Sequence, residues 1–149
     1  MNAAIAGLWT LASMEQRYDD GRVVFPFGQN AEGRLYYGAD GVMFVAIQKD
    51  GRQPFKTGKQ WTASAEEKAG AYNDYLTYAG RYEVNGDEVS HFIDISLFPD
   101  WIGEQQKRKF RFENGQLQLV ARLEEGTPEA RTALLIWERS SEAPNKEKK

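Results

Sequence analysis

The stretch that decides the fold is KFRFENGQLQLV, residues 109–120. Two alternating runs flank Asn114-Gly115, a dipeptide strongly favoured in two-residue hairpin turns because both positions tolerate positive φ. A turn centred there gives apolar cross-strand pairs, Phe112 with Leu117 and Phe110 with Leu119. Because apolar residues then meet on one face, the stretch predicts an antiparallel hairpin with one buried side.

The same turn signal recurs along the chain, at Asp20-Gly21, Asp40-Gly41 and Asn85-Gly86. Alternating or apolar runs surround each turn, and they predict eight strands. These lie near 8–18, 34–39, 42–48, 78–85, 89–98, 105–113, 116–123 and 131–139. Eight antiparallel strands in nearest-neighbour order predict an all-β, up-and-down barrel, which is either filled or able to hold one small ligand.

One helix is expected between the third and fourth predicted strands. Ser64 to Glu67 forms a capping box, and residues 65–78 follow without proline. An apolar stripe along this helix, from Ala65 to Ala79, predicts that it packs against the barrel. The preceding loop, residues 49–62, and the helix together are a candidate lid over one barrel mouth.

Length and composition place the protein in a broad class. A chain of 149 residues suits one domain, here residues 1–140, followed by a polar tail over 141–149 that we expect to be disordered. With no cysteine and one histidine, neither a metal site nor another cofactor is expected. The net charge of −3 argues against nucleic-acid binding, and the basic cluster of residues 107–109 with Arg111 is interpreted as a solvent-facing strand surface.

The expected location is the cytoplasm. Residues 1–7 lack the cationic start and apolar run of a signal peptide, and no segment has the roughly 20 apolar residues of a membrane span. A homodimer is compatible with these features.

The motifs resemble a known family. Gly7-Leu8-Trp9 resembles the Gly-x-Trp signature of lipocalins, whose Trp plugs the closed end of the barrel, and Arg139 is placed to cover that plug. The resemblance is closer to the small bacterial and fungal lipocalin-like domain family over residues 5–139. The stretches that carry it are 20–22, 25–28, 33–37, 40–41, 75–82, His91 and 96–103. It implies the barrel fold but no particular reaction.

Strand alternation predicts which side chains point inward. Pairing across Gly86 places Tyr82 and His91 on one face with Ile93 and Ile95, and Tyr82 is the nearest partner for the imidazole. Glu15 faces inward if Trp9 does, or else lies near the rim in solvent. The predicted ligand-binding residues are Tyr37, Phe44, Tyr82, His91, Ile93, Phe110 and Phe112.

Three functions fit this interior. The first is binding of a small, largely hydrophobic or aromatic molecule, with His91 and Tyr82 orienting its polar group. The second is a cofactor-independent isomerase, cyclase or lyase in which His91 is the general acid or base. The third is a filled barrel with a structural or protein-interaction role. The first requires the fewest special residues.

Overall fold

The computed structural model describes residues 4–140, which form a closed antiparallel β-barrel. Its strands are β1 (Gly7–Tyr18), β2 (Val23–Val24), β3 (Glu32–Tyr37), β4 (Val42–Gln48), β5 (Tyr75–Asn85), β6 (Glu88–Ser96), β7 (Gln105–Glu113), β8 (Gln116–Leu123) and β9 (Arg131–Arg139). One helix, α1 (Ala65–Asn73), and one 3₁₀ turn (Pro99–Trp101) interrupt them. The predicted tail, 141–149, lies outside the described residues.

Closure comes from β1, which pairs with strands on both sides. Residues 7–10 of β1 pair with β3, and residues 9–18 pair with β9. All other barrel strands pair with their neighbours in sequence, so the predicted eight-stranded up-and-down barrel is confirmed. The extra strand β2 pairs with β1 through only two residues, too few to leave an alternating pattern in the sequence.

The helix is confirmed in place but is shorter than predicted. Ser64 Oγ accepts the Glu67 backbone N–H at 3.1 Å, as the capping box requires. However, the helix ends at Asn73, and Tyr75 already pairs with Gln48 in the sheet. Residues 75–78 are rich in aromatic and β-branched side chains, which favour a strand. No helical residue is buried, so the predicted apolar packing stripe is wrong.

None of the helices in residues 4–140 has the length and apolarity needed to cross a bilayer.

Two predicted hairpin registers are confirmed. Phe112 pairs with Leu117 and Phe110 with Leu119, as expected from the turn at Asn114-Gly115. Across the turn at Gly86, Tyr82 pairs with His91, which is one of the two registers that the sequence allowed. His91 is 2% exposed and points into the barrel.

The β3–β4 turn contains one more residue than a two-residue hairpin. The Gly38 N–H donates to the Val42 carbonyl, leaving residues 39–41 as the loop, and Tyr37 pairs with Met43. A shift of one residue turns every following side chain to the other face. Phe44 therefore stacks on Tyr36 on the outer surface and is 52% exposed, so its predicted inward orientation is wrong.

A β-bulge makes the same reversal in β6. Gly80 pairs with Ile93 and Ala79 with Ile95, leaving Asp94 unpaired between them. Ile95 is consequently 68% exposed, and its predicted inward orientation is wrong. A Cβ atom on Gly80 would overlap with the Phe92 carbonyl oxygen, so glycine permits the two strands to approach at the bulge.

The closed end of the barrel is sealed around Trp9. Its indole N–H donates to the Ile5 carbonyl at 2.9 Å, and both residues are about 1% exposed. The Arg139 guanidinium lies 4.2 Å from the Trp9 ring and donates to the Ala6 and Ala4 carbonyls. This is the plug and its arginine cover that the lipocalin resemblance implies.

Candidate ligand-binding cavity

The barrel interior contains a cavity of about 580 Å³. Strands β1, β3–β9 and the 3₁₀ turn all contribute to its wall. Its apolar lining is Met14, Leu35, Val45, Ile47, Leu76, Trp101, Leu119, Ala121, Leu123, Ala133, Leu135 and Trp137. The polar lining is Glu15, Gln16, Tyr78, His91, Gln105, Gln106, Lys107 and Arg108. An apolar chamber with a few polar groups is typical of sites for small molecules.

His91 bridges two tyrosines at the cavity wall. Its Nε2 lies 2.6 Å from the Tyr37 hydroxyl oxygen, and its Nδ1 lies 2.7 Å from the Tyr78 hydroxyl oxygen. The three side chains come from β3, β5 and β6, which the barrel brings together. The prediction that Tyr82 is the hydrogen-bond partner of His91 is wrong, because the Tyr82 hydroxyl donates to the Gly38 carbonyl at 2.7 Å.

The imidazole is neutral at physiological pH. Burial, with a smaller contribution from the positive charge of Arg108, lowers the pKa of His91 from 6.5 to about 3. Burial also raises the pKa of Tyr78 to about 12 and the pKa of Tyr37 well above 10.0. All three rings are therefore uncharged, and they form one neutral hydrogen-bonded group.

The donors and acceptors around His91 indicate its tautomer. A neutral imidazole donates from one nitrogen and accepts at the other. Tyr37 is fully buried, and within residues 4–140 its hydroxyl bonds only to Nε2, so its proton is satisfied only by donation to that nitrogen. Nδ1–H then donates to the Tyr78 oxygen. The Tyr78 hydroxyl proton is left to point toward the cavity that Tyr78 borders.

Arg108 is an inward-facing cation. It pairs with Val89, which is fully buried, and it borders the cavity. The interpretation of the basic cluster as solvent-facing is therefore wrong for this residue. By alternation, Arg108 shares a face with Gln106 and Phe110, a signal that the sequence contains but that the neighbouring charges obscure.

The predicted ligand-binding residues are spread over several environments. Of the seven, only His91 borders the cavity. Tyr37, Tyr82 and Ile93 are in the buried core beside it, and Phe110 is partly buried against that core. Phe112 is 44% exposed near Trp9, and Phe44 is outside the barrel.

The cavity residues missed by sequence reasoning are mainly Tyr78, Arg108, Trp101 and the aliphatic wall. Tyr78 lies where the predicted helix (65–78) meets the predicted strand (78–85), although residues 75–78 also match a strand pattern. The aliphatic residues carry only the general signal of alternating burial. Nothing local distinguishes a side chain that borders a cavity from one that fills a core.

The 3₁₀ turn, rather than the helix, reaches the cavity. Trp101 borders it and packs edge-on against Tyr78, with ring centroids 5.6 Å apart. Phe98 links this turn to the helix, contacting Trp101 at 4.8 Å and Tyr72 at 5.4 Å. Residues 49–73 contribute no side chain to the wall, so this part of the predicted lid reaches the cavity only through this aromatic chain. Leu76 and Tyr78, at the end of the predicted lid, border the cavity as part of β5.

Two other polar side chains at the cavity, Glu15 and Gln16, already have partners. The Glu15 carboxylate bonds to the Arg17 guanidinium, and Gln16 accepts from Arg131 at 2.7 Å. The indole N–H of Trp137 has no hydrogen-bond partner among the described residues. Within residues 4–140, no group of three or more histidine, aspartate or glutamate side chains is arranged to hold a metal ion.

Comparison with known proteins adds the family. No curated protein matches the chain. A crystal structure of an uncharacterized protein from Bacteroides eggerthii is similar at 16% identity and a TM-score of 0.46, covering 89% of this chain and 98% of that one. The family described as the lipocalin-like domain matches residues 6–140. The chain therefore belongs to the lipocalin-like domain family.

Proposed function

We propose that this protein binds a small, largely hydrophobic molecule inside its barrel. The observation that carries the proposal is the cavity of about 580 Å³, which lies within the usual range of about 300–1,000 Å³ for ligand sites. A barrel of eight strands is the size at which the interior is either filled or holds one ligand. The cavity favours the second alternative.

The wall chemistry supports a mainly apolar guest. Aliphatic side chains from β3, β4, β8 and β9 line the cavity, and Trp101 and Trp137 add aromatic surface. Removing such surface from water stabilises a complex by about 25 cal/mol per Å² before the cost of association is subtracted. Tyr78, His91 and Arg108 all border the cavity, and they would orient the polar end of the ligand.

An isomerase, cyclase or lyase with His91 as general acid or base receives less support. Both imidazole nitrogens already bond to tyrosine hydroxyls, and a pKa of about 3 makes the neutral ring a weak base. The group best placed to transfer or share a proton with a ligand is the Tyr78 hydroxyl. We therefore favour ligand binding over catalysis. We propose that this binding takes place in the cytoplasm.

The proposal is tested by filling the cavity. Ala121 borders it, whereas the adjacent Val120 pairs with Leu134 and does not. We expect Ala121→Phe to weaken binding of the neutral dye N-phenyl-naphthylamine at least tenfold, measured by fluorescence titration. Val120→Phe introduces the same side chain at the neighbouring position of the strand and should leave the dissociation constant within twofold of the wild-type value.

Native mass spectrometry gives a second, independent readout. The purified protein should carry an added small-molecule mass that Ala121→Phe loses and Val120→Phe retains. If the wild-type protein binds neither the dye nor any host molecule, the barrel has no binding function. If both variants bind the dye as the wild type does, binding takes place elsewhere.

A further inference from the structure

The cavity contains a positively charged side chain with no acidic partner. Arg108 is partly buried, and its contacts are the Lys107 carbonyl at 3.0 Å and Gln106 Oε1 at 2.6 Å. Within the described residues, no carboxylate lies within ion-pair distance of its guanidinium. Arg122 is different, since on the outer surface it pairs with both Asp19 and Glu125.

An unpaired guanidinium beside an apolar cavity is costly unless an anion neutralises it. Charged side chains in partly buried places are normally paired, and a guanidinium has five N–H donors, of which the two contacts above use two. Glu15, the one acidic residue in the described cavity wall, is paired with Arg17. Arg108 is therefore free to bind an anionic group that enters the cavity.

Tyr78 supplies a neutral donor to the same region. In the tautomer derived above, His91 donates to the Tyr78 oxygen, so the Tyr78 hydroxyl proton has no acceptor among the described residues. Arg108 bonds to Gln106, which is the cross-strand partner of His91, and both Arg108 and Tyr78 border the cavity. A guanidinium and a hydroxyl donor therefore line the same cavity.

We propose that the ligand is an amphipathic organic acid, whose carboxylate binds Arg108 and Tyr78 while its apolar body fills the aliphatic chamber. This inference rests on the proposed binding function and adds the chemical class of the ligand. The guanidinium plane matches a carboxylate in a two-bonded arrangement. The chamber walls from Leu35 to Leu135 provide the apolar surface for the rest of the molecule.

The test compares three probes built on an unbranched ten-carbon chain with different head groups: decanoate, decanol and decyltrimethylammonium. Binding is measured at neutral pH by displacement of N-phenyl-naphthylamine. We expect the wild-type protein to bind decanoate most tightly and the cationic probe most weakly. Arg108→Met should weaken decanoate binding about tenfold while changing decanol binding less than twofold.

Matched variants separate this site from general charge effects. Arg111 is on the same strand, but it bonds to Gln118 and does not border the cavity, so Arg111→Met should change neither affinity. Tyr78→Phe should weaken decanoate binding several-fold, whereas Tyr82→Phe, which removes a hydroxyl bonded to Gly38, should not. Circular dichroism confirms that each variant is folded.

The wild-type protein provides a further readout should Arg108→Met not fold. Raising the salt from about 10 mM to about 1 M should weaken binding of decanoate but not of decanol, because salt screens the ionic contact. The acid-ligand inference would be overturned if the wild-type protein bound decanoate and decanol equally tightly, or if Arg108→Met lost the same affinity for both probes. Either result would leave the proposed hydrophobic binding intact. Failure of all three probes and of the dye contradicts both proposals.

Discussion

The Tyr37 hydroxyl oxygen lies 2.6 Å from Nε2 of His91, with both side chains almost fully buried. This contact links two strands that are far apart in sequence, and it sets which ring nitrogen of the only histidine in the chain carries the proton. It makes His91 a neutral bridge between a buried tyrosine and a cavity-facing one. The cavity wall therefore combines this neutral hydrogen-bonded group with the inward-facing cation Arg108.

Acid sensitivity follows from the burial of His91. The folded-state pKa is about 3 and the ordinary value is 6.5, so between these pH values the unfolded chain binds a proton that the folded protein does not. The free energy of unfolding must then fall as the pH drops from 6.5 toward 3, by up to about 1.4 kcal/mol per pH unit. Urea titrations between pH 7 and pH 4 measure this slope.

His91→Gln is the control for that slope. The variant should be less stable at neutral pH, because it cannot reproduce both tyrosine contacts, but its stability should fall less steeply with acid. The carboxylates contribute equally to both proteins, and no other histidine is present. Parallel curves for the two proteins would mean that the imidazole is not held neutral.

The bulge between β5 and β6 should tolerate no side chain at Gly80. Gly80→Ala places a methyl group against the Phe92 carbonyl, so the strands must separate, and we expect a loss of at least about 3 kcal/mol in unfolding free energy. Gly70 lies within the exposed helix with nothing near it, and Gly70→Ala should stabilise by about 0.5–1 kcal/mol. Thermal unfolding of the two variants shows whether Gly80→Ala is destabilised and Gly70→Ala stabilised. A small loss of stability in Gly80→Ala would contradict the bulge geometry.

Neighbouring residues of β4 should differ sharply in their effect on binding. Phe44 faces solvent beside Tyr36, so Phe44→Ala should leave the dissociation constant of the dye within twofold and cost about 1 kcal/mol or less in stability. Val45 borders the cavity and is 6% exposed. Val45→Ala should therefore lower the free energy of unfolding by about 1–3 kcal/mol and weaken binding of the dye. Loss of dye binding in Phe44→Ala would instead place the site on the outer surface.

Much of the barrel could be predicted because two-residue turns and alternation determine strand pairing locally. Phe110 and Phe112 find their partners across Asn114-Gly115 as expected, and Tyr82 meets His91 across Gly86. The errors arise where one residue is added. The loop at residues 39–41 reverses Phe44, and the bulge at Asp94 reverses Ile95. Neither irregularity has a distinct sequence signal, because glycine and aspartate suit several turn types equally well.

The cavity was predicted less completely than the fold because it depends on contacts between distant strands. His91 was identified by its position on an apolar face, but Tyr37 and Tyr78 meet it only after closure brings β3, β5 and β6 together. Arg108 could have been found by alternation from Phe110. Its orientation was hidden by the charges on either side of it in the sequence.

Ligand binding beside His91 is the central claim, and nitrogen-15 NMR of the histidine-labelled protein tests it most directly. One histidine gives one pair of ring resonances, so no assignment is needed. We predict a neutral ring protonated on Nδ1, whose Nδ1 resonance shifts when decanoate or the dye is added and does not shift in Ala121→Phe. Saturating binding of either molecule to the wild-type protein with both ring resonances unchanged would contradict the account.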